Sequence, residues 1–225
     1  MSCSGSRPRT APATRILHGD SAVYDSPPRM NADRTALRQR LRRERRAIPA
    51  ADRIAAAEAL ARHLLALRFA PRKGTVAGYW AVDGEIGLHA WQLGLPAQVR
   101  YCLPVLHDDS LLRFAPWRPG DPLTSNRFGI PEPEVGPDAL LAAADLDLVV
   151  LPLVGYDHDG YRLGMGGGWY DRSFAFRHDV PAPPWLVGVG FASQRLDALA
   201  RAPWDVRLDA LCNERESLMF EDLPA

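Results

Sequence analysis

Ten consecutive residues hold the densest chemistry in the chain: Arg162, Leu163, Gly164, Met165, Gly166, Gly167, Gly168, Trp169, Tyr170 and Asp171. Glycine backbone can adopt positive φ, and it lets a bulky anion reach main-chain N–H groups without meeting a Cβ. Upstream, the apolar run Leu146–Val154 predicts a strand buried on both faces. Downstream, Trp169–Phe176 lacks Gly and Pro and predicts a helix, whose N-terminus would add partial positive charge. Arg162 and Arg172 add guanidinium donors, and Asp171 is an oxygen ligand suited to Mg²⁺. The chemistry implied is a cradle for nucleotide phosphates. The same glycines also fit a flexible connecting turn. Two familiar cradles are excluded. Trp169 stands where GxGxxG needs its third glycine, and no Lys-Ser/Thr follows to complete a Walker loop.

Other residues could join such a site. Arg34 and Arg38 are four apart and share one face of a helix predicted over Arg34–Ala47, capped by Asn31 or Asp33 and stopped by Pro49. That segment carries seven arginines against Glu44 alone, which on composition reads first as a solvated basic face. An RNA-binding helix is a weaker reading, because no aromatic residues interleave. A strand over Gly74–Trp80 leads into a loop bearing Glu85. Trp80 can stack on a flat ring, and Glu85 can accept N–H donors. Glu85 also fits the start of a helix predicted over Ile86–Leu95, where a negative charge is favourable. Asp209, taken alone, reads as an unremarkable surface carboxylate. His158, in the loop before Arg162, reads as a surface histidine, and His63 and His89 as structural residues on helices.

These residues need a scaffold. A helix over Ala50–Leu67 presents an apolar stripe of Ile54, Leu60, Ala61, Leu64 and Leu65. Val99–Leu103 and Leu111–Trp117 read as strands around the turn His107–Ser110, and Trp185–Phe191 as another buried strand. Prolines stiffen Phe128–Pro133 into a loop. Strands alternating with helices predict a three-layer α/β sandwich with a mainly parallel central sheet. Residues 1–32, rich in Ser, Pro and Arg, read as a disordered extension, and 33–225 as a single domain.

Composition removes several classes. Lys+Arg and Asp+Glu are equal at 27 each among 225 residues, so no global charge favours nucleic acid or a membrane surface. No apolar run approaches the ~20 residues that span a bilayer, and residues 1–32 lack the apolar core of a secretory signal. Cys3, Cys102 and Cys212 are scattered and odd in number, which suits a reducing compartment and neither a disulfide framework nor structural zinc.

The stretch RLGMGGGWYDR resembles the signature of the 5-formyltetrahydrofolate cyclo-ligase family. Three further blocks resemble it in order: Arg34-Thr35-Ala36-Leu37-Arg38, the Trp80 to Glu85 loop, and Pro203–Glu214, with Phe128–Pro133 a further likeness. Gly87-Leu88, Met165, Trp169 and Trp204 depart from residues common in relatives. The resemblance implies the fold of sugar-phosphate isomerases and CoA-transferases. It implies ATP- and Mg²⁺-dependent conversion of 5-formyltetrahydrofolate to 5,10-methenyltetrahydrofolate, with release of ADP and phosphate. In that reading the formyl oxygen attacks the γ-phosphate, and N10 then closes the ring as phosphate leaves. Arg162, Gly166, Gly167 and Gly168 would be catalytic. ATP would contact Arg34, Thr35, Ala36, Leu37 and Arg38, then Arg162 through Tyr170. Trp80, Glu85 and Trp169 would bind folate, and Asp171 and Asp209 would hold Mg²⁺. The expected partner is the small-molecule substrate, with a cytoplasmic monomer and no nucleic acid or membrane. A family-like protein acting on another metabolite is the alternative.

Overall fold

The computed structural model describes residues 28–220. Of the extension expected to be disordered over residues 1–32, residues 1–27 lie outside the described part, and residues 28–32 belong to a helix. Helix α1 (Pro28–Arg46) starts earlier than the sequence predicts, so Asn31 and Asp33 lie within its opening turns and not at its cap. Pro28 is a natural first residue, because that position's N–H has no helical partner to lose. Helix α2 (Ala50–Leu65) buries Ala56, Leu60, Ala61 and Leu64. Ile54 and Leu65, expected in its stripe, are 65% and 39% exposed. Each fully buried leucine contributes roughly 1.5–3 kcal/mol.

Strand β1 (Gly74–Ala77) is followed by a loop and α3 (His89–Gly94), then β2 (Val99–Leu106) and β3 (Leu112–Pro116). The helix predicted from Ile86 therefore begins three residues late. The Tyr79 hydroxyl donates to the Ile86 carbonyl at 2.6 Å, and this holds the extended approach to α3. A small ribbon pairs β4 (Leu123–Ser125) with β5 (Pro131–Pro133), so part of the expected proline loop is a short strand. Strand β6 (Leu148–Pro152) leads to a hairpin of β7 (Gly155–Tyr156) and β8 (Arg162–Leu163). Helix α4 (Trp169–Ser173) is shorter than predicted and gives way to a 3₁₀ turn at Ala175–His178. Strands β9 (Trp185–Val189), β10 (Ala210–Cys212) and β11 (Ser217–Met219) complete the chain.

Seven strands form one sheet in the order β11-β10-β9-β6-β1-β2-β3. The five inner strands are parallel, and both edge strands are antiparallel. The mainly parallel sheet is therefore as expected. Alternate residues serve opposite faces. Val76, Val150 and Val187 pack with α2 and Trp91 of α3. Ala77, Val149, Leu151 and Leu186 pack with Phe174 and Tyr156 on the other face. Cys102 and Cys212 are buried and unbridged.

The chain runs from β1 outward to β2, then returns to place β6 on the other side of β1. That reversal opens a crevice outside the carboxyl ends of β1 and β6, where open α/β sheets bind ligands. The loop after β1 carries Trp80 and Glu85. The segment after β6 carries the glycine stretch.

Candidate active site

On the β6 side, the glycine stretch joins β8 to α4. Gly166 (φ 101°) and Gly168 (φ 64°) occupy the left-handed region, whereas Gly164 and Gly167 do not. Two positions therefore require glycine for their backbone, not four. Among the described residues, no carbonyl or side chain accepts from the N–H groups of residues 164–168. The α4 helix has only five residues, so its dipole adds less than the sequence suggested. The loop's own N–H groups are the larger resource.

Helix α1 closes over this loop. Arg38 Nε donates to the Gly164 carbonyl at 2.8 Å, and a Cβ on Gly166 would lie 3.5 Å from the Arg38 guanidinium carbon. Arg34 Nη2 meets Asp205 Oδ2 at 2.6 Å. Its Nε is buried without a hydrogen-bond partner. Burial, and then the neighbouring Arg34 charge, lower the Arg38 pKa. Two crowded guanidiniums and an orphaned donor beside unspent N–H groups form a site suited to an anion. Thr35 and Ala36 are exposed, and Leu37 packs against the small cluster of Leu41, Val154, Leu163 and Leu199. Those three residues space the arginines rather than extend the site.

Arg162 has a different task from the open phosphate contact expected of it. It is buried, with Nη1 donating to the Val206 carbonyl at 2.6 Å and Nη2 paired with Asp171 Oδ1 at 2.7 Å. Val206 N also donates to Asp171 Oδ1, leaving Oδ2 without a hydrogen bond among the described residues. Met165 is exposed. The Trp169 ring lies 5.3 Å from the Arg127 guanidinium and 5.2 Å from that of Arg172.

The β1 side is built around Glu85, whose side chain is 6% exposed. Oε2 accepts from Val82 N at 3.0 Å. Among the described residues Oε1 accepts no hydrogen bond, and Arg45 Nη1 stands 3.8 Å from it. Burial pushes Glu85 up to about 6, opposed by the Val82 N–H and the Arg45 charge. Trp80 meets Trp117 edge-on, with ring centroids 5.7 Å apart. Tyr170 links the two sides. Burial, and then the Glu85 charge, raise its pKa, while Arg162 lowers it.

The sequence reading missed several residues here. Asp83, at φ 54°, is gripped by Arg42 at 2.7 Å, by Arg45 at 2.9 Å and by Arg46. Burial would raise its pKa, but the hydrogen bonds from Arg42 and Arg46 outweigh that and hold the carboxyl low. Arg45, Asp205, Tyr79 and Tyr101 also went unmarked. One signal was available: Arg34, Arg38, Leu41 and Arg45 follow helical spacing and share the inward face of α1. That face turns Arg34, Arg38 and Arg45 toward the protein body, and Arg42 and Arg46 reach Asp83 from its flank. Arg40, Arg43 and Arg46 stay exposed, so a smaller basic surface is left than the composition suggests.

Asp209 and Asp171 share no hydrogen-bond partner among the described residues. Asp209 stands at the start of β10, where both oxygens accept from Arg177 at 2.7 and 3.0 Å and Oδ2 also accepts from Leu186 N. Among the described residues, no group of three His, Cys, Asp or Glu could hold a metal ion. Asp171 fits Mg²⁺ as a single carboxylate ligand alongside phosphate and water. Asp209, whose Oδ2 accepts twice and Oδ1 once, has less left to offer a metal than Asp171. His158 is exposed, with Nδ1 3.0 Å from the Asp197 carbonyl. His63 Nδ1 lies 2.7 Å from the Asn213 carbonyl, a structural contact. No helix among the described residues is long and apolar enough to cross a membrane.

Sheet order and loop placement define an α/β protein with its candidate site residues on the loop after β1 and the segment after β6, beside the switch point of the sheet. The chain belongs to the 5-formyltetrahydrofolate cyclo-ligase family, whose model matches residues 30–214. A 5-formyltetrahydrofolate cyclo-ligase of Haemophilus influenzae is 34% identical over 178 residues, spanning 78% of this chain and 94% of the relative. One from Mycolicibacterium smegmatis is 31% identical over 195 residues, spanning 83% and 96%. Among solved structures, Aquifex aeolicus 5,10-methenyltetrahydrofolate synthetase superposes with a TM-score of 0.71 at 26% identity, covering 85% of this chain and 95% of that one. The Mycoplasma pneumoniae synthetase gives 0.62 at 25% identity, covering 81% and 99%.

Proposed function

We propose that this protein closes 5-formyltetrahydrofolate to 5,10-methenyltetrahydrofolate at the expense of ATP, releasing ADP and phosphate. The observation that carries the reading is that β1 and β6 are parallel neighbours, so the Glu85 loop after one and the glycine stretch after the other leave the sheet on the same side. ATP phosphates would lie against the N–H groups of Gly164–Gly168, with Arg34 and Arg38 neutralising their charge. Mg²⁺, held by those phosphates, water and Asp171, would supply charge neutralisation. Arg162 orients Asp171 through its Nη2 contact. On the other side, the unbonded Oε1 of Glu85 accepts N–H donors of the pterin, and Trp80 lies near enough in sequence to stack on its ring.

The folate formyl oxygen bonds to the γ-phosphorus as ADP leaves. Phosphorylation makes that oxygen a good leaving group, so N10 can attack the formyl carbon and expel phosphate. The protein contributes positioning and charge stabilisation. The test mixes the protein with Mg-ATP and 5-formyltetrahydrofolate and follows the near-ultraviolet band of the methenyl product. An ATP-dependent rise is expected. A flat trace from folded protein and intact substrate would overturn the assignment in favour of a relative that acts on another metabolite.

A further inference from the structure

We propose that Arg45 is a positioning residue for Glu85: its buried guanidinium, braced by Asp83 and the Leu153 carbonyl, keeps that carboxylate ionised with Oε1 open to the ligand. The inference rests on the reading that Glu85 faces the substrate.

Arg45 is 1% exposed although it carries a permanent charge. Its fork is used on three sides. Nε donates to the Asp83 carbonyl at 3.1 Å, Nη2 to Asp83 Oδ2 at 2.9 Å, and Nη1 to the Leu153 carbonyl at 3.1 Å. Leu153 directly follows β6 and Asp83 lies in the loop after β1, so one side chain ties α1 to both walls of the crevice. The 3.8 Å approach of Nη1 to Glu85 Oε1 is too long for a hydrogen bond. Arg45 thus lends charge to that oxygen without occupying it. A carboxylate hydrogen-bonded directly to arginine would already have spent the acceptor that the substrate needs.

Other groups cannot take its place. Arg42, also from α1, lowers the Glu85 pKa as well but is committed to Asp83. Asp83, two residues away, opposes ionisation. Burial raises the pKa of Tyr79 after β1 and of Tyr170 in α4, the nearby Glu85 charge adds to it, and both stay neutral. Arg53 of α2 lines the same pocket as Glu85, beside Gly84. A purely structural Arg45 would hold the loop in place and leave the ionisation of Glu85 untouched.

The experiment titrates the Glu85 carboxyl by ¹³C NMR in the ligand-free protein, with its resonance identified by loss in Glu85→Gln. In parallel, the pH profile of kcat/KM for folate is recorded. Removing a neighbouring opposite charge raises a carboxyl pKa by about 1–3 units, so Arg45→Met should move the Glu85 midpoint and the acid limb upward together. Asp83→Asn removes the opposing charge and should move both downward, and Asn tolerates the left-handed backbone. Arg45→Lys should give an intermediate midpoint, since an ammonium cannot brace all three partners. If Arg45→Met does not fold, the opposite shifts of Arg45→Lys and Asp83→Asn decide the matter. Unmoved midpoints in folded variants would overturn the proposal and reduce Arg45 to a brace. Midpoints that move as expected, with folate kinetics indifferent to Glu85, would uphold the electrostatic link and overturn the folate assignment instead.

Discussion

The two walls of the crevice handle charge in opposite ways. The glycine wall holds its donors unspent: among the described residues its N–H groups meet no carbonyl and Arg34 Nε has no hydrogen-bond partner. The Glu85 wall has settled its charges in advance, with Asp83 clasped by three arginines and Arg45 braced on three sides. A phosphate chain brings its own strong charge, so a loose donor-rich cradle is enough to receive it. A neutral, flat heterocycle brings only directional donors, and these need an acceptor whose ionisation is fixed before binding. One wall is completed by its ligand, and the other is complete without it.

The largest break in this comparison should come from Asp171→Asn. On the open wall, a lost charge is not replaced by the protein. Turnover should fall by about a hundredfold or more, as when one group that stabilises developing charge is removed. Asp171 also pairs with the buried Arg162 guanidinium, so the variant should lose about 1–3 kcal/mol of stability as well, and turnover is compared where it is fully folded. Near-normal turnover would remove Asp171 from the phosphate side. Arg38→Ala comes next. Losing a charge-assisted contact of about 1.5–3 kcal/mol should raise KM for ATP by roughly 10- to 100-fold, with KM for folate little changed. Steady-state kinetics varying each substrate would check this, and equal effects on both substrates would erase the division between the walls.

Glu85 sharpens the contrast through pH. Its folded pKa of about 6 lies above the ordinary value of 4.5, so between those values the folded protein binds more protons than the unfolded chain. Stability must therefore fall as pH rises through that window, by about 2 kcal/mol in total. Folate binding should move the other way, improving as the carboxylate forms. Denaturant unfolding of wild type and Glu85→Gln should show this fall in wild type and a flatter profile in the variant. Parallel pH profiles for stability and folate kcat/KM would contradict the assignment.

How much of this was legible beforehand follows the range of the interactions. Gly166, Gly168 and Asp171 sit within one decapeptide, and Arg34 with Arg38 within one helical turn, so local spacing reveals them. Trp80 and Glu85 were marked by residue type and by resemblance. The alternation of strands and helices likewise announced the parallel sheet. Arg45 was hidden among seven arginines of one helix, since only the fold decides which of them meets Asp83 38 residues away. Asp205 was passed over for the same reason, its partner Arg34 lying 171 residues distant. The late start of α3 goes with the Tyr79 bond to Ile86, and α4 ends at Ser173, whose Oγ accepts from Leu112 N 61 residues away. Propensity is a weak prior against such contacts.

Asp209 gives the smallest functional effect and separates sequence likeness from geometry. Its motif makes it a partner for Asp171, yet its oxygens hold Arg177 and the Leu186 amide at the start of β9 and β10. Asp209→Asn keeps the shape but loses the charge for Arg177, whose Nε is already buried without a partner. Leaving that guanidinium less satisfied should cost about 1–3 kcal/mol of stability. Neither kcat nor the Mg²⁺ dependence of the rate should move at a temperature where the variant is fully folded. Thermal denaturation and a magnesium titration of the rate measure the two effects independently. A raised magnesium requirement with unchanged stability would mean that Asp209 leaves Arg177 when nucleotide binds. The anion wall would then extend from α4 to the start of β10.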